Sequence, residues 1–496
     1  MNAKVTIHSL ATGVPGLDAV LGGGLPEFSF NLIAGSPGSG KTTLAHQMMF
    51  SLATPERSAL YMTVLGEPPL KMLRYQQQFD FFDSERVGDS VRFLNLSDEA
   101  LAGDLGTVMQ KIVAAVEEYA PAFVFVDSFR SVAATDNSDD GMDGSLRHFV
   151  QQLGMLMTSW QATTFLIGEY IDEAEANPIF TVADGLIWMR QSVERNSMVR
   201  KLEIRKMRGK ATLSGLHTFR ISGRGISVFA PAAVEALDID CPTPTADTRL
   251  LMGIPRLDTM LGGGLPIGYS MLVAGPSGSG KSIMAAAFLA EGARRGEKGV
   301  IAAFEQNPFR SRNPVVADLI RAGHVGLVDT SASDLSIDEI ALLLIAEVRR
   351  LDATRLVIDS LSGFELALAP TFRDDFRESL ARLVTALSST GITMLMTSEL
   401  EDRYTDLRFS PYGTAFLTDA IVVQRYIEVE SRLRRVIAVV KVRASAHADD
   451  LREFTIDSNG IRIGEILAEE EGLLGGRPTR KRSECGAPPV TRRSPK

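Results

Sequence analysis

Residues 35–42 read GSPGSGKT and residues 275–282 read GPSGSGKS, so one chain matches G-x-x-x-x-G-K-[ST] twice, 240 positions apart. Glycines in such a loop let consecutive backbone N–H groups turn inward around phosphate oxygens, at the positive end of the helix that follows. The loop therefore demands a strand before it and a helix after it. Both surroundings comply: FNLIAGSPGSGKTTLAHQMMF (30–50) and SMLVAGPSGSGKSIMAAAFLA (270–290) each run from an apolar segment through the loop into good helix formers. The first cradle is assigned to Gly35, Gly38, Ser39, Gly40, Lys41, Thr42 and Thr43, the second to Gly275, Gly278, Ser279, Gly280, Lys281 and Ser282. Lys41 and Lys281 are expected to reach the β- and γ-phosphates of a bound nucleotide, and the Thr42 and Ser282 hydroxyls to ligate magnesium.

The duplication extends outward from the loops. TGVPGLDAVLGGGLP (12–26) returns as MGIPRLDTMLGGGLP (252–266), identical at ten of fifteen positions. AFVFVDS (122–128) and RLVIDS (355–360) are β-branched apolar runs ending in Asp127 and Asp359, placed where a carboxylate is needed to meet the magnesium beside the loop. Uninterrupted apolar strands suit a parallel sheet covered by helices on both faces. The chain thus reads as a tandem α/β protein, each half a mostly parallel, doubly wound sheet with flanking helices. Its expected divisions are domains at 6–230 and 249–468, a linker at 231–248 rich in Ala, Pro and Thr, and a tail at 469–496. From Arg477 that tail carries seven Lys/Arg against one acid, a composition that predicts disorder.

Hydrolysis needs a base or a water-orienting group, for which a strand-end carboxylate is the natural source. The candidates are Glu67 in YMTVLGEPP and Glu305 in VIAAFEQNP. Cationic pairs, Lys206 with Arg208 and Lys441 with Arg443, close RKLEIRKMR and RRVIAVVKVR. Strict alternation along a strand would place Leu202, Ile204, Lys206 and Arg208 on one face, and Ile437, Val439, Lys441 and Arg443 likewise. Two cations at a strand end either guard a solvated edge or clamp a γ-phosphate, and their recurrence favours the clamp.

Composition narrows the class. With 496 residues, 45% hydrophobic and 23% charged, the chain has the makeup of a soluble globular protein of two domains or more. A formal charge of −9 gives no general attraction to nucleic acid or to an anionic membrane. Two cysteines, no secretory leader and no apolar stretch of membrane-spanning length predict a reducing, cytoplasmic setting.

With loop, strand-end glutamate, aspartate and late K-x-R in this order twice, the sequence resembles the KaiC family of tandem RecA-like ATPases. GLDxxLGGGLP and the K-[MV]-R pairs carry the resemblance more specifically than the loops. It implies a double-ring homohexamer with ATP at subunit interfaces, where Lys206, Arg208, Lys441 and Arg443 reach the neighbour's nucleotide. It also implies that Arg435, Ser445 and His447 lie close to ATP in the second ring. Where clock-type members carry paired glutamates, this chain has Gly66-Glu67 and Glu305-Gln306; where they carry a Ser-Thr autophosphorylation pair, it has Ala415 and Phe416. Ser410, Thr414 and Thr418 are the nearest hydroxyls, and Thr414 is the candidate phosphosite for Ser/Thr autokinase activity. Partners implied are signalling proteins such as a response regulator, a histidine kinase or a KaiB-like protein. The rival function is a nucleic-acid motor, since RecA-like cores also drive recombinases and helicases.

Overall fold

The computed structural model describes residues 7–64, 69–97, 105–127, 142–170, 178–194, 197–231, 248–304, 307–310, 314–328, 334–373, 376–400, 417–429, 431–467, 470–471 and 479–480. The chain divides into two compact units, residues 1–234 and 235–496. Most of the expected linker, and most of the basic tail, lie outside the described residues. Within the tail Glu470–Glu471 pairs antiparallel with Thr479–Arg480. No helix of the described residues is long and apolar enough to cross a membrane.

The first unit is built on a nine-stranded sheet: β1 (Phe30–Gly35), β2 (Ala59–Thr63), β3 (Val91–Asn95), β4 (Phe123–Asp127), β5 (Thr163–Glu169), β6 (Gly185–Glu194), β7 (Ser197–Met207), β8 (His217–Ser222) and β9 (Gly225–Phe229). Its order is β3-β2-β4-β5-β1-β6-β7-β8-β9. The first six strands in that order run parallel, and β7, β8 and β9 extend the sheet as an antiparallel meander. The strands of the second unit are β10 (Ser270–Gly275), β11 (Gly299–Ala303), β12 (Val325–Val328), β13 (Arg355–Asp359), β14 (Thr393–Glu399), β15 (Ala420–Val429), β16 (Arg432–Val442), β17 (Arg452–Asp457) and β18 (Gly460–Ile466). Their order, β12-β11-β13-β14-β10-β15-β16-β17-β18, is the same topology again. The mostly parallel α/β fold of tandem RecA-like units is therefore present in both halves.

Burial explains the unbroken apolar strands. Every residue of β1 is buried. Ile33 packs with Tyr61, Phe125 and Phe165 under the loop-following helix α1 (Lys41–Leu52), which presents Leu44 and Met48 to them. Leu32 and Ala34 pack on the other face with Val124, Leu166, and Ile112 and Phe149 from two further helices. With both faces covered, no position of the central strands can be polar for solvent's sake.

The expected alternation along β7 and β16 is overturned. A β-bulge breaks the register, so that Leu186 pairs with Lys206 while the next residue, Ile187, pairs with Ile204. In the second unit Ile421 pairs with Lys441 and Val422 with Val439. Buried positions step from Ile204 to Met207 and from Val439 to Val442. Lys206 and Arg208, like Lys441 and Arg443, therefore share a face opposite Leu202 and Ile204, or Ile437 and Val439. An unbulged strand would have aimed the lysines into the core; the extra residue re-aims them.

Candidate nucleotide site

Both loops sit at the carboxyl ends of central strands, β1 and β10. Gly38 and Gly278 have φ of +74° and +75°, and Gly40 and Gly280 have φ of +101° and +107°. These left-handed values suit glycine and turn the loop tightly into the helix. At Gly35 a side chain is excluded by space as well, since a Cβ would lie 2.1 Å from the carbonyl oxygen of Met189. Neither α1 nor the second loop's helix α2 (Lys281–Arg294) has a side-chain cap, which leaves first-turn N–H groups for an anion. Lys41 Nζ curls back to the Ser36 carbonyl at 2.9 Å, and Lys281 Nζ to those of Gly275 and Pro276 at 2.8 and 2.9 Å.

Strand β4 lies one strand away from β1, with β5 between them, yet its end meets the loop. Thr42 Oγ1 donates to Asp127 Oδ2 at 2.9 Å, and the Tyr61 hydroxyl donates to the same oxygen at 2.7 Å. Burial raises the Asp127 pKa; the hydrogen bonds from Tyr61 and Thr42 and the Lys41 charge oppose that shift, and Glu169 adds to it. Burial lowers the Lys41 pKa against the pull of Glu169 and Asp127, and pushes Tyr61 well above its ordinary value. In the second unit Asp359 accepts a hydrogen bond from Thr397 instead. A hydroxyl beside a carboxylate is a hard-oxygen donor set of the kind magnesium takes.

The sequence reading missed Glu169 and Glu399. They end β5 and β14 and stand in register with Gly35 and Gly275. Glu169 Oε1 lies 4.0 Å from Lys41 Nζ. The signal was present in TTFLIGEY and TMLMTSEL, where the glutamate recurs at the end of the same strand. Glu67, Glu305 and Thr414 lie outside the described residues. Ser410 does too, whereas Thr418 is described and fully buried.

The cationic pairs are not at their own loops. β6 runs parallel to β1, with Met189 facing Gly35 and Gly185 facing Asn31, and Met207 pairs with Gly185. At about 3.3 Å per residue, Arg208 stands roughly 13 Å or more down the sheet from Gly35. There Lys206 Nζ donates to the carbonyls of Phe180 and Thr181 at 3.1 and 3.0 Å, and Arg208 pairs with Asp184 at 2.9 Å. Lys441 donates to the Thr418 carbonyl at 2.6 Å, and Arg443 pairs with Asp419 at 3.0 Å. Burial first, then the neighbouring arginine's charge, lowers both lysine pKa values.

Arg435, Ser445 and His447 do not form one cluster. Arg435 stacks 5.5 Å from the Tyr426 ring, and it is the Tyr426 hydroxyl that reaches the loop, 3.2 Å from where a Cβ on Gly278 would stand. Ser445, two residues past Arg443, accepts from Arg249 at 2.7 Å, and the His447 ring lies 3.4 Å from the Ser445 carbonyl. These two belong with the distal cations.

The repeated glycine phrase also lies at the distal end. Gly22, Gly23 and Gly24 have φ of +68°, +102° and +95°, and Lys210 donates to the Gly24 carbonyl at 2.7 Å. A Cβ on Gly22 would stand 2.1 Å from the Ala211 carbonyl oxygen, and one on Gly262 2.8 Å from that of Ala446. The phrase therefore braces the turn that leaves each K-x-R pair.

The family model described as ATPase: KaiC matches residues 10–233 and again 250–468. Over 488 residues the chain is 26% identical to the circadian clock oscillator protein KaiC of Picosynechococcus sp., covering 96% of this chain and 93% of that protein. Over 492 residues it is 27% identical to the circadian clock protein KaiC3 of Synechocystis sp., covering 95% of each.

Proposed function

Because the chain belongs to the KaiC family of ATPases, we propose that it is a magnesium-dependent ATP hydrolase whose sites are completed between copies of itself, in a double-ring homohexamer that reports nucleotide state to signalling proteins. One observation carries this reading: in both units the loop with its aspartate and the K-x-R cations occupy opposite ends of one sheet. A site that contains both needs a second copy.

In this reading the loop residues from Gly35 to Thr43 and from Gly275 to Ser282 cradle the phosphates, and Arg435 supports the second loop. Thr42 with Asp127, and Ser282 with Asp359, hold magnesium, which supplies neutralising charge at the phosphate oxygens. Glu67 and Glu305 orient the attacking water and accept its proton. Glu169 and Glu399 engage the loop end from the intervening strand. Lys206, Arg208, Lys441 and Arg443, with Ser445 and His447 beside the latter pair, serve the adjoining copy. Stabilisation of transferring phosphoryl charge by such an arginine is worth about 10³ to 10⁵ in rate. Autophosphorylation at Thr414 is a second proposed activity, tested by intact-mass and phosphopeptide analysis after incubation with Mg-ATP. The rival reading, a nucleic-acid motor, is disfavoured by the −9 charge.

Subunit mixing tests the central claim. The full-length Lys41→Ala/Lys281→Ala and Arg208→Ala/Arg443→Ala variants are each expected to lose hydrolysis. Mixed assemblies, verified by native mass, contain interfaces with an intact loop from one variant and intact cations from the other, so activity returns. Verified mixed assemblies that stay inactive would mean the cations serve their own chain.

A further inference from the structure

In each unit one aspartate holds an arginine and the root of the loop strand together. Asp184 Oδ1 accepts from Arg208 Nη1 at 2.9 Å, and its Oδ2 accepts from the N–H of Phe30, the first residue of β1, at 3.0 Å. The backbones double the connection: Asp184 N–H donates to the Phe30 carbonyl at 2.7 Å, and Arg208 N–H to the Asp184 carbonyl at 2.9 Å. Asp419 repeats the arrangement. Its Oδ1 accepts from Arg443 at 3.0 Å, and its Oδ2 accepts from the N–H and the hydroxyl of Ser270, the first residue of β10, both at 3.0 Å.

Stability alone does not account for the pairs. The Arg208 and Arg443 side chains are 60% and 57% exposed, and ion pairs so open to water contribute little to folding. What the carboxylate does supply is direction. Arginine has four rotatable side-chain bonds, and a carboxylate on one edge of its guanidinium fixes the plane of the group; in the first unit Arg208 Nη2 also reaches the Thr181 carbonyl at 3.4 Å, which holds the same orientation. In the first unit Arg208 and Asp184 line an open cavity of about 540 Å³ together with Phe30, Met155 and Val182. The cation is thus presented on a concave surface at the end of the sheet farthest from its own loop.

We infer that Asp184 and Asp419 are positioning residues, each orienting its arginine toward the phosphate held by the adjoining copy and tying that orientation to the first residue of its own loop strand. This rests on the reading that Arg208 and Arg443 act between copies. The carboxylates make and break no covalent bond; they remove, before nucleotide arrives, the rotational freedom that the arginine would otherwise lose in the transition state.

The test uses the full chain with both units altered alike. Asp184→Asn/Asp419→Asn keeps an oxygen for the strand N–H and removes the charge that holds the guanidinium. The expected result is kcat for ATP hydrolysis lowered roughly tenfold, KM for ATP unchanged, and the assembly mass unchanged. Arg208→Ala/Arg443→Ala is expected to lose at least about 10³ in kcat, and adding the asparagine changes to it should cost nothing more. Wild-type kcat in the asparagine variant, or a further loss on top of the arginine variant, overturns the inference while leaving the action between copies intact. Wild-type kcat in the arginine variant overturns that action and the inference with it. Should the asparagine variant not assemble, Asp184→Glu/Asp419→Glu, which keeps the charge and displaces it by one methylene, must show the same fall in kcat at constant KM; wild-type kcat there is equally fatal.

Discussion

Tyr61 donates to Asp127 across the β2–β4 pair at 2.7 Å, whereas the corresponding aspartate of the second unit, Asp359, takes its hydrogen bond from Thr397 on the strand at its other side. Ile301 stands where Tyr61 would be, and Ile167 where Thr397 would be. Each unit therefore supplies one side donor to its aspartate, from opposite flanks.

Tyr61→Phe removes that donor with little change of volume. Loss of a hydrogen bond to a buried carboxylate is expected to cost about 1.5 to 3 kcal/mol, seen as a lower melting temperature of the first unit. Tyr61→Phe/Ile167→Thr should recover part of that loss by copying the second unit's solution. If the double variant melts no higher than Tyr61→Phe alone, the two donors are not interchangeable.

Two loop glycines separate strain from collision. Gly38→Ala meets nothing nearer than Gln191 Nε2 at 3.5 Å, and its φ of +74° makes the expected cost about 1 to 2 kcal/mol. Gly35→Ala places its Cβ 2.1 Å from a backbone oxygen of β6 and must part the two strands. Its destabilisation in chemical denaturation should exceed that of Gly38→Ala by at least about 2 kcal/mol; equal values would refute the packing assignment.

The braced turn predicts a kinetic signature. Gly22→Ala/Gly262→Ala pushes against the Ala211 and Ala446 carbonyls just beyond the K-x-R pairs. Initial-rate measurements should show kcat lowered about tenfold or more, with KM for ATP unaltered, because a displacement of about 1 Å in a positioned group costs up to about 10² in rate. A raised KM with normal kcat would place the phrase at the chain's own loop instead.

Acid acts on the two units with opposite sign at two buried groups. His46, packed 4.5 Å from the Tyr61 ring, is held down to about 4 by burial, against a small opposing effect of Gln76. Its contribution to stability is complete above pH 6.5 and is lost as pH falls toward 4, at most about 1.4 kcal/mol per pH unit crossed. Burial raises Asp258 to about 6, so its contribution is complete below 3.8 and is lost as pH rises through 6. Amide exchange from pH 7 to 4.5 should show first-unit strands losing protection in the parent chain and less so in His46→Phe. A parallel decline in both proteins would remove His46 as the cause.

Local chemistry made much of this protein legible. GSPGSGKT and GPSGSGKS specify left-handed backbone, a preceding strand and a following helix, because a phosphate cradle has few other ways to be built from L-residues. AFVFVD and RLVID marked covered strands because only burial on both faces removes the need for alternation. The duplication followed from repetition, and the mostly parallel sheet of each unit from those unalternating runs.

Tertiary structure decided what depends on distance across the sheet. Strict alternation misread the face of Lys206 and Lys441, since a bulge is a property of paired strands and leaves no mark in one strand's sequence. That Asp127 meets Thr42 across an intervening strand, that Glu169 stands beside Gly35, and that Arg208 is turned away from its own loop toward Asp184 are consequences of strand order and direction. A sequence fixes which side chains are available; the order in which parallel strands lie side by side determines which of them share an end of the sheet, and so which can meet the same phosphate.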